Sequence, residues 1–373
     1  MSEEQSFSPG LAGVVAGETA IACVDQGKLL YRGYTIQDLA ENATFEEVAY
    51  LLLYDELPSD QQLSNIKKQL DDYRPLRPEV IEAIRKMPKT APMMDVVRSM
   101  VSYAGHWDPV NGDDENANRK RAVWLTAQIA GIIAARYRLM NDREPVEPEP
   151  GLSHAAQILY QCHGEYPDEL AAELIDLSLI LYAEHDFNAS TFTCRVIGST
   201  LSDLVSSVTG AIGALKGPLH GGANEAAMEM LQQFKNADEA KAWVEDALKN
   251  KKKIMGFGHR VYRHGDHRAD ILEGKLRKLA HQKGEEKWIE IYDAIKHPMV
   301  HEKKIFPNVD YPCGLTYYLL GLPLDLYTPL FVASRVTGWS AHYLEQMIGN
   351  RIYRPVSIYV GHGERKVPPQ DER

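Results

Sequence analysis

Apolar residues recur along most of the chain at the three-to-four-residue spacing of helices, and strand-like patterning is confined to its beginning. Ile21-Ala22-Cys23-Val24 and Leu29-Leu30-Tyr31 flank Asp25-Gln26-Gly27, which predicts a small hairpin within residues 20–34. Thr44-Phe45-Glu46-Glu47 is a capping box, in which hydroxyl and carboxylate each satisfy a free backbone N–H, and the apolar run Val48 to Leu53 follows it. Ser59 and Gln62 repeat the device after Pro58. Residues 93–104, 121–140 and 168–184 carry apolar side chains at helical spacing. Leu177 to Tyr182 is apolar nearly all round, which predicts a deeply buried helix. Another long helix is expected from near Pro329, a favoured first-turn residue, to about Gly349. The Pro/Glu-rich residues 142–151 read as an exposed loop. The fold class is mainly α, with a small N-terminal β-hairpin.

A chain of 373 residues is long enough for two domains. A net charge of -11 argues against a protein that coats nucleic acid or anionic membrane. Cys23, Cys162, Cys194 and Cys313 form no CxxC pair, so reduced thiols are expected rather than a disulfide framework or a zinc site. The acidic, polar start and the absence of an apolar run near the roughly 20 residues of a membrane span lead to the expectation of a cytoplasmic protein.

Four segments stand apart from ordinary core and surface. Glu184-His185-Asp186-Phe187-Asn188-Ala189-Ser190-Thr191 ends the buried helix in a cluster of polar side chains, where plain helix termination competes with function. Gly217-Pro218-Leu219-His220-Gly221-Gly222-Ala223-Asn224 surrounds one histidine with residues that let backbone approach a ligand. Good helix sequence follows it, so His220 is expected near a helix N-terminus, whose dipole favours the neutral imidazole. The stretch from Lys251 to Arg268 is basic within an acidic protein, and its Gly256, Gly258 and arginines suit a polyanionic ligand better than a solvated loop. Gly256-Phe257-Gly258 is not a dinucleotide fingerprint, because Val261 stands where the third glycine belongs. Finally, Phe306-Pro307-Asn308-Val309-Asp310-Tyr311-Pro312 frames Asp310 with apolar residues, and a partly buried carboxylate there is a usable general base.

In order and spacing these segments resemble the citrate synthase family, together with Ser334-Arg335, Arg354-Pro355, Gly10-Leu11-Ala12-Gly13-Val14 and Tyr31-Arg32-Gly33-Tyr34. The resemblance covers nearly the whole chain. It implies that Asp310 takes a proton from acetyl-CoA, that His220 hydrogen-bonds the thioester oxygen and that His259 polarises the ketone of oxaloacetate. It further implies that His185, Arg268 and Arg335 hold the dicarboxylate and that Arg354 completes the site of a second subunit in a homodimer. Met255, Gly256, Phe257, Gly258 and Arg263 would contact coenzyme A. Citrate and free coenzyme A would be the products, with no metal and no permanently bound cofactor. Pro312-Cys313-Gly314 departs from the family's usual continuation, so the backbone beside Asp310 is expected to differ. The implied architecture is a large helical domain of residues 1–216 and 326–373 and a small helical domain of residues 217–325, with the site in the cleft between them.

The alternative within the family is 2-methylcitrate synthase, which takes propionyl-CoA. One methylene is worth only about 1–3 kcal/mol of discrimination, and the motifs are shared. A non-catalytic assembly protein on the same fold is a second alternative, opposed by the intact His220, His259 and Asp310. A histidine-based metallohydrolase is a third, opposed by the lack of ligand spacing on one helix.

Overall fold

The computed structural model describes residues 8–25, 28–259, 262 and 265–373. Strands β1 (Ala22–Asp25), β2 (Lys28–Tyr31) and β3 (Tyr34–Thr35) form an antiparallel sheet in sequence order, with Ala22 opposite Tyr31 and Leu30 opposite Thr35. The expected hairpin is therefore present; its Gln26 and Gly27 lie outside the described residues.

Among the described residues, the elements that follow are helices. The chain continues through α1 (Ile36–Asn42), α2 (Phe45–Tyr54), α3 (Asp60–Tyr73), α4 (Pro78–Lys86), α5 (Met93–Ala104), α6 (Glu115–Met140), α7 (His154–His163) and α8 (Glu169–Tyr182). Then come α9 (Ala189–Gly198), α10 (Leu204–Leu215), α11 (Ala223–Leu231), α12 (Ala237–Lys249), α13 (His267–Lys283), α14 (Glu286–His301), α15 (Asp310–Leu319) and α16 (Tyr327–Met347). Both capping boxes form, at Thr44/Glu47 and at Ser59/Gln62. α6 begins before the expected residue 121 because the Asp114 carboxylate accepts from Ala117 N–H at 2.8 Å, capping a polar first turn.

α16 is the axis of the larger body. It is buried from Tyr327 to Leu344 and packs against α2, α6, α8, α9 and α10. Pro329 lies in its first turn, where a missing N–H breaks no helical bond. Gly349 turns the chain away with a φ of 70°. A second group packs mainly within itself: α11 and α13 on α15, and α12 and α13 on α14. It meets the larger body through α8, α1 and α16, in a two-domain arrangement. Among the described residues, no helix is long and apolar enough to cross a membrane, and no cluster of His, Cys, Asp and Glu could hold a metal ion.

Pro312 does not interrupt the helix that carries Asp310. Asp310, Tyr311 and Pro312 are the first three residues of α15, and a helix has no intrahelical use for those N–H groups. Proline starts this helix rather than distorting it.

Candidate active site

Where the two bodies meet, a cavity of about 1180 Å³ opens, walled by the segment Gly10 to Gly17, by the end of α8 and the loop after it, and by Leu219, Asn308 and Phe331. His185, His220, Gly258, His259, Arg268, Asp310 and Arg335 all line it. Residues spread over 150 positions of sequence thus converge through four helix ends. His185 follows α8, His220 precedes α11, Arg268 opens α13 and Asp310 opens α15.

Asp310 is half-buried, and loss of water pushes its carboxyl above the usual range. The Tyr182 hydroxyl, donating to Oδ1 at 2.7 Å, and the Arg268 and Arg335 guanidiniums pull the other way. The result is a carboxylate basic enough to accept a proton yet held in place. Asn308 fixes the approach to the helix. Its side chain accepts from Asp310 N–H at 3.1 Å and donates to Gly258 O at 3.0 Å, tying Asp310 to the Met255–Gly258 loop.

His220 and His259 are both neutral at physiological pH. Each is lowered to about 4, by burial first, then by Arg335 for His220 and by Arg268 for His259. His220 precedes the N-cap Gly222 by two residues, close to the start of α11 as expected. The Ser190 backbone N–H lies 3.3 Å from His220 Nε2 and can only donate. Nε2 is therefore an acceptor, and the ring proton sits on Nδ1. The Ser190 hydroxyl, 2.8 Å from the same Nε2, is anchored by Trp339 Nε1–H at 3.1 Å. His259 has the opposite tautomer, because its Nδ1 accepts from Tyr262 N–H at 3.2 Å and leaves Nε2 protonated. Each ring can thus donate a hydrogen bond without carrying a charge.

The cations are arranged unequally. Arg268 is locked in a fork with Asp266, Nε to Oδ1 at 3.0 Å and Nη2 to Oδ2 at 2.9 Å. Arg335 is buried and donates through Nε to Tyr182 O at 2.6 Å, and among the described residues no carboxylate lies within ion-pair distance of it. Its guanidinium rests 4.7 Å from the Phe331 ring centre. Burial and Arg268 lower its pKa, so an incoming carboxylate relieves a standing electrostatic cost. His185, also kept neutral by burial and then by Arg268, sits 3.0 Å from the Tyr262 hydroxyl and edge-on to His259.

The remaining expected residues are placed differently. Gly258 reaches the cavity wall, whereas Met255, Gly256 and Phe257 do not. Gly256, with a φ of 78°, abuts Tyr311, and Phe257 packs against that same ring at a tilt of 52°, centres 4.5 Å apart. Arg263 lies outside the described residues. Arg354 is exposed in the chain after α16, with Nη1 bonded to Pro355 O at 2.9 Å. Tyr182, Ser190, Asp266, Asn308 and Phe331 belong to this constellation and were not singled out from sequence.

The fold has close counterparts among known proteins. The profile of the family described as citrate synthase, C-terminal domain, matches residues 10–356. The chain belongs to the citrate synthase family. This is an enzyme family of acyl-CoA condensation chemistry. A 2-methylcitrate synthase of Shewanella oneidensis is 46% identical over 363 residues, covering 96% of this chain and 96% of that protein. A citrate synthase of Mycolicibacterium smegmatis is 42% identical over 369 residues, covering 98% of each. A solved citrate synthase from Thermoplasma acidophilum, in ternary complex with carboxymethyl coenzyme A and oxaloacetate, superposes with a TM-score of 0.92. It is 36% identical and covers 99% of this chain and 100% of that one.

Proposed function

We propose that this protein condenses propionyl-CoA with oxaloacetate and water to give 2-methylcitrate and free coenzyme A. The observation that carries the condensation is the convergence of one raised carboxylate, two neutral histidines of opposite tautomer and two buried arginines on one cavity. The propionyl preference is supported by the relative of 46% identity, a 2-methylcitrate synthase. Citrate formation from acetyl-CoA is the second reading, favoured by the citrate synthase relative at 42% and by the Thermoplasma complex.

In this mechanism Asp310 removes a proton from the carbon next to the thioester. His220 donates its Nδ1 hydrogen to the thioester oxygen, where negative charge develops. One such preorganised donor contributes on the order of 10²–10³ in rate. His259 donates Nε2–H to the ketone oxygen of oxaloacetate as the new carbon–carbon bond forms. Arg335, Arg268 and His185 hold the dicarboxylate. Gly258 on the cavity wall, backed by Met255, Gly256 and Phe257 of the same loop, is read as the coenzyme A contact; Arg263, the other expected contact, lies outside the described residues. Hydrolysis of the resulting thioester then frees coenzyme A.

The same proposal includes a homodimer, with Arg354 reaching the partner's site. Residues 351–360 have no regular structure and carry Ile352, Val356, Ile358, Tyr359 and Val360 in the open. Apolar side chains so exposed suit a surface on another subunit. It also includes residues 217–325 as the body that moves against residues 1–216 and 326–373. Initial rates of thiol release with propionyl-CoA and acetyl-CoA at saturating oxaloacetate test the substrate. A kcat/KM at least tenfold higher for propionyl-CoA is expected, and the reverse ratio replaces this reading with the acetyl one.

A further inference from the structure

The base does not stand alone in its wall. Tyr182 ends α8 and Asp310 begins α15, so their contact at 2.7 Å joins the two bodies that form the cavity. The Tyr182 ring is 2% exposed and lies 4.5 Å from Phe331, which leaves it little freedom to turn. The buried Cys313 thiol, one turn along from Asp310, neighbours the Tyr182 and Tyr317 hydroxyls. The Tyr317 hydroxyl in turn lies 2.9 Å from Ser178 Oγ. An ionised carboxylate only accepts, so the Tyr182 proton points at Asp310.

We infer that Tyr182 is the positioning residue of the general base, holding the Asp310 carboxylate in its working orientation and in its ionised form. This rests on the reading of Asp310 as the base. Among the described residues, the charged and titratable groups facing Asp310 are Arg268 and Asp266 from the start of α13, Arg335 from α16, Tyr182 from α8 and Cys313 on its own helix. Burial and Asp266 favour the protonated acid. Tyr182, Arg268 and Arg335 favour the carboxylate, and only Tyr182 does so by direct contact. Without that hydrogen bond the balance moves toward the acid, so the base loads with a proton at a higher pH.

The test is the pH profile of kcat/KM for the acyl-CoA in wild type and Tyr182→Phe, which keeps the ring and removes the donor. The acid limb is expected to move up by about one unit or more, the size of a hydrogen bond to a charged group. At neutral pH kcat falls about tenfold, while the KM for oxaloacetate and the melting temperature stay near wild type. An acid limb that does not move, with or without a fall in kcat, overturns the inference, since loss of packing alone leaves that limb in place. If Tyr182→Phe does not fold, a ring-fluorinated tyrosine at position 182 supplies a stronger donor of nearly the same shape. It is expected to move the limb down, and an unmoved limb again overturns the inference. Asp310→Asn separates the two claims. If that variant turns over normally, the base assignment itself fails. If it is inactive while the limb in Tyr182→Phe stays fixed, only the role of Tyr182 fails.

Discussion

Replacing Arg335 by leucine sets function against stability in a measurable way. The guanidinium is 2% exposed, and among the described residues it has no ion-pair partner. In the ligand-free protein it is a buried charge held by Tyr182 O, by the Phe331 face and by the more distant Glu184 carboxylate. A charge-assisted hydrogen bond contributes about 1.5–3 kcal/mol, and a carboxylate meeting this guanidinium in two such bonds gains about twice that before desolvation. Half of that sum is a conservative net loss for Arg335→Leu, which is about 1.5–3 kcal/mol or roughly 10–150-fold in the dissociation constant of oxaloacetate. The acyl-CoA KM should change by less than about threefold. Without ligand the sign reverses. The lowered pKa of Arg335 means that the folded protein disfavours its charge, so a leucine, shorter but uncharged, should leave the melting temperature unchanged or higher. Titration calorimetry with oxaloacetate, thiol-release kinetics and thermal melts read the three quantities. Equal weakening toward both substrates, or a melting temperature lowered by more than about 5 °C, would refute the reasoning.

Three further outcomes follow. Gly256→Ala places a Cβ 2.8 Å from Tyr311 Cβ at a φ of 78°, and Tyr311 is pinned by its hydroxyl on Tyr292 O at 2.9 Å. A loss of about 2–4 kcal/mol in urea unfolding and a fall in kcat through the neighbouring Asp310 are expected, and wild-type values for both would contradict the packing argument. Asp176 is raised to about 7 by burial and by the nearby Glu46, so the folded protein holds its proton longer than the unfolded chain does. That penalty is absent near pH 4, grows through pH 7 and is constant above. Asp176→Asn should therefore raise the melting temperature at pH 8 and not at pH 4, and an equal gain at both would exclude the linkage. For assembly, Arg354→Ala mixed with His259→Ala should regain activity once subunits exchange, because one of the two shared sites in the heterodimer then carries neither defect. Confirmed exchange without activity would mean that Arg354 does not act in trans.

How far the sequence carried the fold depended on whether an element's signal was local. α5 was expected at 93–104 and spans Met93–Ala104, because its apolar stripe begins and ends where the helix does. α16 was expected from near Pro329 to about Gly349 and spans Tyr327–Met347, since proline and glycine mark a first turn and an exit directly. α12 to α14 were not delineated, because their exposed faces of Lys and Glu dilute the apolar spacing. The site residues announced themselves through unusual local chemistry, glycines around His220 and prolines around Asp310. Their supporting partners did not. Tyr182 meets Asp310 across 128 positions, and Trp339 meets Ser190 across 149. Nothing near Tyr182 in the chain distinguishes it from the apolar residues of its buried helix. The short-range exception is Asp266, two residues before Arg268, whose fork could have been anticipated from spacing alone.

The central claim is that Asp310 starts a carbon–carbon bond-forming condensation by taking a proton from the acyl group. The most direct measurement is mass analysis of the product from propionyl-CoA and oxaloacetate, with thiol release followed alongside, for wild type and Asp310→Asn. Wild type should release thiol only when both substrates are present and yield a tricarboxylic acid whose mass equals the sum of propionic acid and oxaloacetic acid. Asp310→Asn should retain oxaloacetate binding and yield no product. Thiol release by wild type without oxaloacetate, or a normal yield of tricarboxylate from Asp310→Asn, would contradict the account.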